Sequence, residues 1–236
     1  MNIVDIIILA IIVLFGFYGY KTGFIKTVVV TIGLILVFVF SYLFKGPVAE
    51  FLSMNFPFFS FAGSFKGIAI INIIIYQLIA FIIVFSILLT VFALVVKISS
   101  LVEKLLKVTV LLRLPSKILG LILGVVEGII ISSISLMILT LPIINITPVH
   151  ESKIKDFLME TVPITGTLSR GTNKAINEIM ELKKVYTNSK DKDEFNSKCF
   201  DVLLKYNIID VEYGSKLINS GKIKIENADE ILLKYK

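Results

Sequence analysis

Glu127 is the one acid inside an apolar run that carries no other formal charge. The run, ILGLILGVVEGIIISSISLMILTL, covers residues 118–141. A charge at mid-bilayer is costly unless it is paired, hydrated or neutralised, so this carboxyl group has two readings. In the first it is the neutral acid, hydrogen bonded to a neighbouring helix through Asn72, Gln77 or a serine or threonine. In the second it passes protons or cations along a polar path. An intramembrane acid with no titratable partner at similar depth favours the first. Asp5 enters the first apolar run near its outer end, away from that depth.

Spacing adds a second feature. Gly120, Gly124 and Gly128 recur every fourth residue around Glu127. At about 100° per residue these glycines and Glu127 share an arc of about 100° on one helix. Such a glycine zipper lets another helix approach closely, and it puts the carboxyl group beside the packing strip. Gly16, Gly19 and Gly23 give a weaker version at the end of the first apolar run, where Gly23 also suits a tight turn. The spacing leaves open whether the facing helix belongs to this chain or to a second copy.

Other chemistry is sparse. No phosphate loop, dinucleotide fingerprint, zinc-protease helix or nucleophile elbow occurs. Cys199 is the only cysteine and excludes an intramolecular disulfide. His150, the only histidine, sits among prolines and reads as a solvated linker residue. Asp191, Asp193 and Glu194 alternate with lysines and read as a hydrated surface. These observations predict a protein that is not an enzyme, with no catalytic residues, no metal site and no cofactor.

The elements that must hold these residues are membrane helices. The chain has 236 residues, 56% apolar, with a mean hydropathy of +0.90, well above soluble domains. The net charge is +6, and residues 1–141 hold nine basic against four acidic groups. That excess sits in short loops, where lysines set orientation. No basic stripe with stacking aromatics points to nucleic acid. The partners expected are the lipid bilayer, and a second copy of the chain or other membrane and secretion proteins.

Four spans follow: Ile3–Tyr20, Ile25–Phe44, Ile68–Val96 (core crossing Ile74–Val95) and Ile118–Leu141. MNIVDIIILA lacks a basic leader, so the first span reads as a helix that stays. Lys45–Gly67, with Pro47, Pro57 and Phe56, Phe58, Phe59 and Phe61, reads as a segment at headgroup level, with a re-entrant loop as the sharper alternative. Ile98, Leu101, Val102, Leu105 and Leu106 mark an amphipathic interfacial helix. Pro115 ends that connection, and Ser116 is placed to cap the fourth span.

Lys97, Lys104, Lys107, Arg113 and Lys117 form a basic membrane-surface group. With Lys21 and Lys26 they lie on one side, against Lys45 and Lys66 on the other, which puts the larger group in the cytoplasm and both termini outside. The predicted fold is all-α: four transmembrane helices in residues 1–141, a linker at 142–150, and a small extracytoplasmic helical tail at 151–236. Within the tail, Leu168–Tyr186, Glu194–Tyr206 and Val211–Asn219 carry helical patterns, Gly221 is a stop, and Asn227 is a cap for a last helix.

In order and spacing, these residues resemble the colicin V production protein (CvpA) family of small bacterial membrane proteins. The V-D-I-I-I-L-A opening with Asp5, Gly23-Phe24 before Lys26, Leu101-Val102-Glu103-Lys104, and Gly120-x3-Gly124-x3-Gly128 carry the likeness over about residues 1–141. Glu127 stands where the family pattern has a basic or polar residue, and the tail lies beyond the likeness. The resemblance implies a multi-pass cell-membrane protein tied to toxin biosynthesis or secretion and to envelope homeostasis, without a catalytic site to carry over. The reading on its own residues is a non-enzymatic protein acting through helix packing and partner contacts. The alternative is a channel or transporter subunit using Glu127.

Overall fold

A computed structural model describes residues 2–60, 68–105, 113–139, 147–161, 163–186 and 192–236. Ten α-helices and no strand occur among the described residues: α1 (Ile3–Thr22), α2 (Phe24–Asn55), α3 (Ile70–Leu105), α4 (Arg113–Leu139), α5 (Thr147–His150), α6 (Lys153–Thr161), α7 (Pro163–Tyr186), α8 (Lys192–Lys205), α9 (Val211–Asn219) and α10 (Ala228–Leu233). Four of them are long and apolar enough to cross a membrane. The protein is an all-α membrane protein.

Local chemistry sets the helix ends. Asn2 caps α1, accepting from Val4 N at 2.9 Å and Asp5 N at 3.1 Å, while Asp5 Oδ2 accepts from Asn2 N at 2.9 Å. Gly23 closes α1 at φ +83, a conformation that a side chain would strain. Its N–H reaches Gly19 O at 2.9 Å, and α2 starts at the next residue.

Several boundaries differ from expectation. α2 does not stop at Phe44 but runs through Pro47 to Asn55. Its 32 residues span about 48 Å, more than a ~30 Å hydrocarbon core. The segment read as lying at headgroup level is therefore helical to Asn55. Pro47 removes one ladder donor without ending the helix. α3 runs unbroken to Leu105, so Ile98–Leu105 is a continuation of a span and not a separate helix; Leu106 falls outside the described residues. α4 begins at Arg113, so Pro115 lies in its first turn, where the missing N–H costs nothing. Ser116 is inside the helix, and its Oγ accepts from Phe24 N at 3.0 Å instead of capping. Asn227 occupies the cap position of α10 with φ 55, but its side chain makes no capping bond.

Packing groups the residues into two compact units, 1–40 with 86–169, and 41–85 with 170–236. In unit 1, α1 presents Ile3, Ile7, Val13 and Leu14 outward and buries Ile8, Gly16 and Gly19. That arrangement suits lipid, where small residues belong inside. Residues read as linker and tail fold onto this pair: Val149 and Leu158 share a core with Ile8 and Leu136. In unit 2, Ala49, Ile70, Ile73, Phe200, Leu203 and Leu217 are fully buried. α9 is tied to the end of α2. Tyr213 OH meets Ser53 Oγ at 2.7 Å, and Lys216 Nζ donates to Glu50 Oε1 at 2.7 Å.

Candidate functional site: the α1–α4 seam

Five of the six glycines singled out by spacing lie along α1 and α4 of the same chain, and Gly23 caps the end of α1. The pairing is antiparallel. A Cβ on Gly19 would overlap the Gly120 carbonyl oxygen and lie 2.9 Å from its carbon and 3.0 Å from Gly124 Cα. A Cβ on Gly120 would overlap Gly19 O, and one on Gly124 would overlap Phe15 O. At Gly128 it would come within 2.8 Å of Ile12 Cα. These obstacles are backbone atoms, which cannot rotate away. Gly16 differs, since a Cβ there meets Val125 Cγ2 at 3.0 Å. At Gly23 it would meet Ser116 Oγ at 3.0 Å.

Glu127 lies beside this strip and is 2% exposed. Its Oε2 is enclosed and has no hydrogen-bond partner among the described residues, and the same holds for Ser132 Oγ. Ser133 and Ser135 donate back to Ile129 O and Ile131 O at 2.8 and 2.9 Å, so neither hydroxyl serves the acid. The expected partners are engaged elsewhere or unpaired. Asn72 accepts from Phe59 N at 2.7 Å and donates to Phe59 O at 3.3 Å. It fastens the chain after α2 to the first turn of α3. Gln77 Oε1 is buried without a partner among the described residues. Among the described residues, Glu127 Oε2 has none of the partners named for it. An enclosed carboxyl of this kind can hold or release a proton. Among the described residues no group of three His, Cys, Asp or Glu could hold a metal.

Asp5 is an anchor between helix starts. Besides Asn2 N, it accepts from Ser152 Oγ at 2.6 Å and Ile154 N at 3.4 Å through Oδ1. Ser152 Oγ in turn accepts from Lys155 N at 3.1 Å, capping α6. One carboxylate thus satisfies donors at the N-termini of α1 and α6, where helix dipoles favour negative charge. Sequence reading missed Ser152. A serine just before the helical run 153–161 was the available signal.

Of the basic group, Lys117 Nζ lies 5.4 Å from the centre of the Tyr20 ring, and Lys97 is exposed. Lys107 and the side chains of Lys104 and Arg113 lie outside the described residues. The His150 side chain does too. Cys199 is fully buried in the tail, and burial pushes its thiol up to about 12, far from a reactive thiolate.

A sequence model of the colicin V production protein family matches residues 4–163. The match extends beyond residue 141 and takes in α5 and α6, the helices that Asp5 and the Ile8–Leu136 core hold against the seam. No curated protein matches the chain. No solved structure matches it either.

Proposed function

The chain belongs to the colicin V production protein family, and on that premise we propose that it is a non-enzymatic, multi-pass cell-membrane protein. In this reading it supports toxin production or export, or envelope homeostasis, as a scaffold. One observation supports it above others: the glycine strip, the most specific packing surface in the sequence, is occupied by α1 of the same chain. A surface consumed internally builds a fixed core, which leaves partner contacts to other faces. The short-loop lysines support an orientation with both termini and the tail outside.

The test is Gly124→Leu in native membranes, read by a disulfide across the seam between cysteines at Ile8 and Leu136, with Cys199→Ser as background. The scaffold reading expects crosslinking to be lost together with function. Crosslinking unchanged by the leucine would refute it.

A second reading is favoured by a different observation, the enclosed and unpartnered Oε2 of Glu127. A channel or transporter subunit would place its proton or cation there. In reconstituted vesicles Glu127→Gln would then abolish a pH- or ion-dependent flux. Equal flux in wild type and variant removes this reading, whereas the scaffold tolerates the amide.

A further inference from the structure

Unit 2 contains a cavity of about 310 Å³ whose lining includes Tyr42, Lys45, Glu50, Gln77, Asn207 and Asp210. Two of these groups have unmet and opposite demands. The Lys45 ammonium lies 4.2 Å from the centre of the Tyr42 ring. It makes no hydrogen bond or ion pair with a described residue, although an ammonium has three donors to satisfy. Gln77 is 5% exposed, and its Oε1 is an acceptor with no donor among the described residues. A buried orphan of this kind normally has a partner, in protein, water or ligand.

The two carboxylates in the lining are each partly used. Glu50 Oε1 holds Lys216 at 2.7 Å, and Asp210 Oδ1 caps α9 through Tyr213 N at 2.7 Å. Each keeps a second oxygen. The lining therefore offers one unpaired cation together with acceptors of both neutral and negative kind. A simple anion would satisfy Lys45 but face Glu50 and Asp210. A simple cation would satisfy the acceptors but face Lys45. A molecule carrying both charges satisfies all of them. The volume is at the small end of ligand pockets, ~300–1,000 Å³, which suits a headgroup-sized molecule. Leu43 and Phe44, on the same turn of α2 as Lys45, are 61% and 57% exposed, an apolar surface fit for acyl chains.

We propose that this cavity binds a small zwitterion bearing a primary ammonium and a phosphate, the chemistry of an aminophospholipid headgroup. Lys45 takes the phosphate oxygens; Gln77 Oε1, Glu50 and Asp210 take the ammonium. The requirement for a primary ammonium follows from Gln77. Its Oε1 needs an N–H donor, which a trimethylated ammonium lacks.

The experiment uses the full chain, purified and delipidated in detergent. It measures binding of glycerophosphoethanolamine, glycerophosphocholine and inorganic phosphate by calorimetry. Native mass spectrometry follows retention of phosphatidylethanolamine against phosphatidylcholine. The ethanolamine forms are expected to bind at least about tenfold tighter than the choline forms. Lys45→Met should weaken them by about tenfold or more, the scale of a lost charge-assisted hydrogen bond, and Lys45→Arg should retain them. Binding of the soluble headgroup assigns a free zwitterion as sufficient; retention of the intact lipid alone assigns the membrane as the source. Equal binding of ethanolamine and choline forms overturns the proposal, as does no binding of either. Gln77→Leu, which removes the orphan acceptor without touching a charge, gives a second check if Lys45→Met does not fold. Unchanged binding in the variant that folds also overturns the proposal.

Discussion

Replacing Gly19 with alanine adds one methyl group at the tightest point of the seam. The new Cβ would stand 2.9 Å from Gly120 C and 3.0 Å from Gly124 Cα, and would overlap Gly120 O. Carbon contacts are comfortable at ~3.5–4.0 Å, so α1 and α4 must part by roughly 0.5–1 Å. A gap of that size forfeits a quarter to a half of each dispersion contact, and it opens along the whole strip. Overpacking of this kind costs about 1–3 kcal/mol. The upper end applies because the obstacles are backbone. Helix propensity returns about 1 kcal/mol on replacing glycine with alanine, so the net loss expected is about 2 kcal/mol. Gly46→Ala is the internal control. A Cβ there meets nothing within 4 Å among the described residues, and the same propensity should stabilise by up to about 1 kcal/mol. Gly16→Ala should fall between them, because a Cβ there meets one Val125 methyl at 3.0 Å and backbone only at 3.8 Å. The assay is reversible unfolding in mixed micelles, followed by helical circular dichroism. If Gly19→Ala proves as stable as Gly46→Ala, α1 and α4 are not in backbone contact at Gly19.

Two further outcomes follow from the ends of unit 1 and the core of the tail. Asp5→Ala should cost about 1–2 kcal/mol, as lost helix caps do, and should expose Lys153 and Lys155 to trypsin. A double-mutant cycle with Ser152→Ala should show coupling of about 0.5–3 kcal/mol, and strictly additive costs would show that the 2.6 Å bond does not link the helices. For Cys199 the folded thiol is pushed up to about 12 by burial, against ~8.5 when unfolded. As pH rises past that lower value the unfolded chain gives up its proton first, so stability falls from about pH 8.5 toward 12. The denaturation midpoint should therefore drop between pH 8 and pH 10, and Cys199→Ala should flatten the drop. Rapid alkylation of the native protein at pH 8 would contradict a buried thiol.

The sequence alone determined that this chain lives in a membrane and folds into helices. Apolar runs of about twenty residues leave the backbone no other way to satisfy its hydrogen bonds in lipid. It also marked the residues of the seam, since glycines four apart must share a helix face. The glycines could not name their partner, because every helix in lipid is equally apolar and the strip at Gly120, Gly124 and Gly128 is compatible with any close backbone. Only the tertiary structure matched it to Gly16 and Gly19. Helix limits at Asn55 and Leu105 were hidden for a related reason: local breakers such as Pro47 are overridden when packing holds the helix. The bond between Asp5 and Ser152, and the joint lining formed by Lys45, Gln77 and Asp210, join residues far apart in the chain. No local pattern records such pairings, so they exist only once the fold has brought them together. Glu127 stands between these cases. Its place beside the glycine strip was readable from a helical period, but that its Oε2 would be enclosed without a partner was decided by what the neighbouring helices place around it.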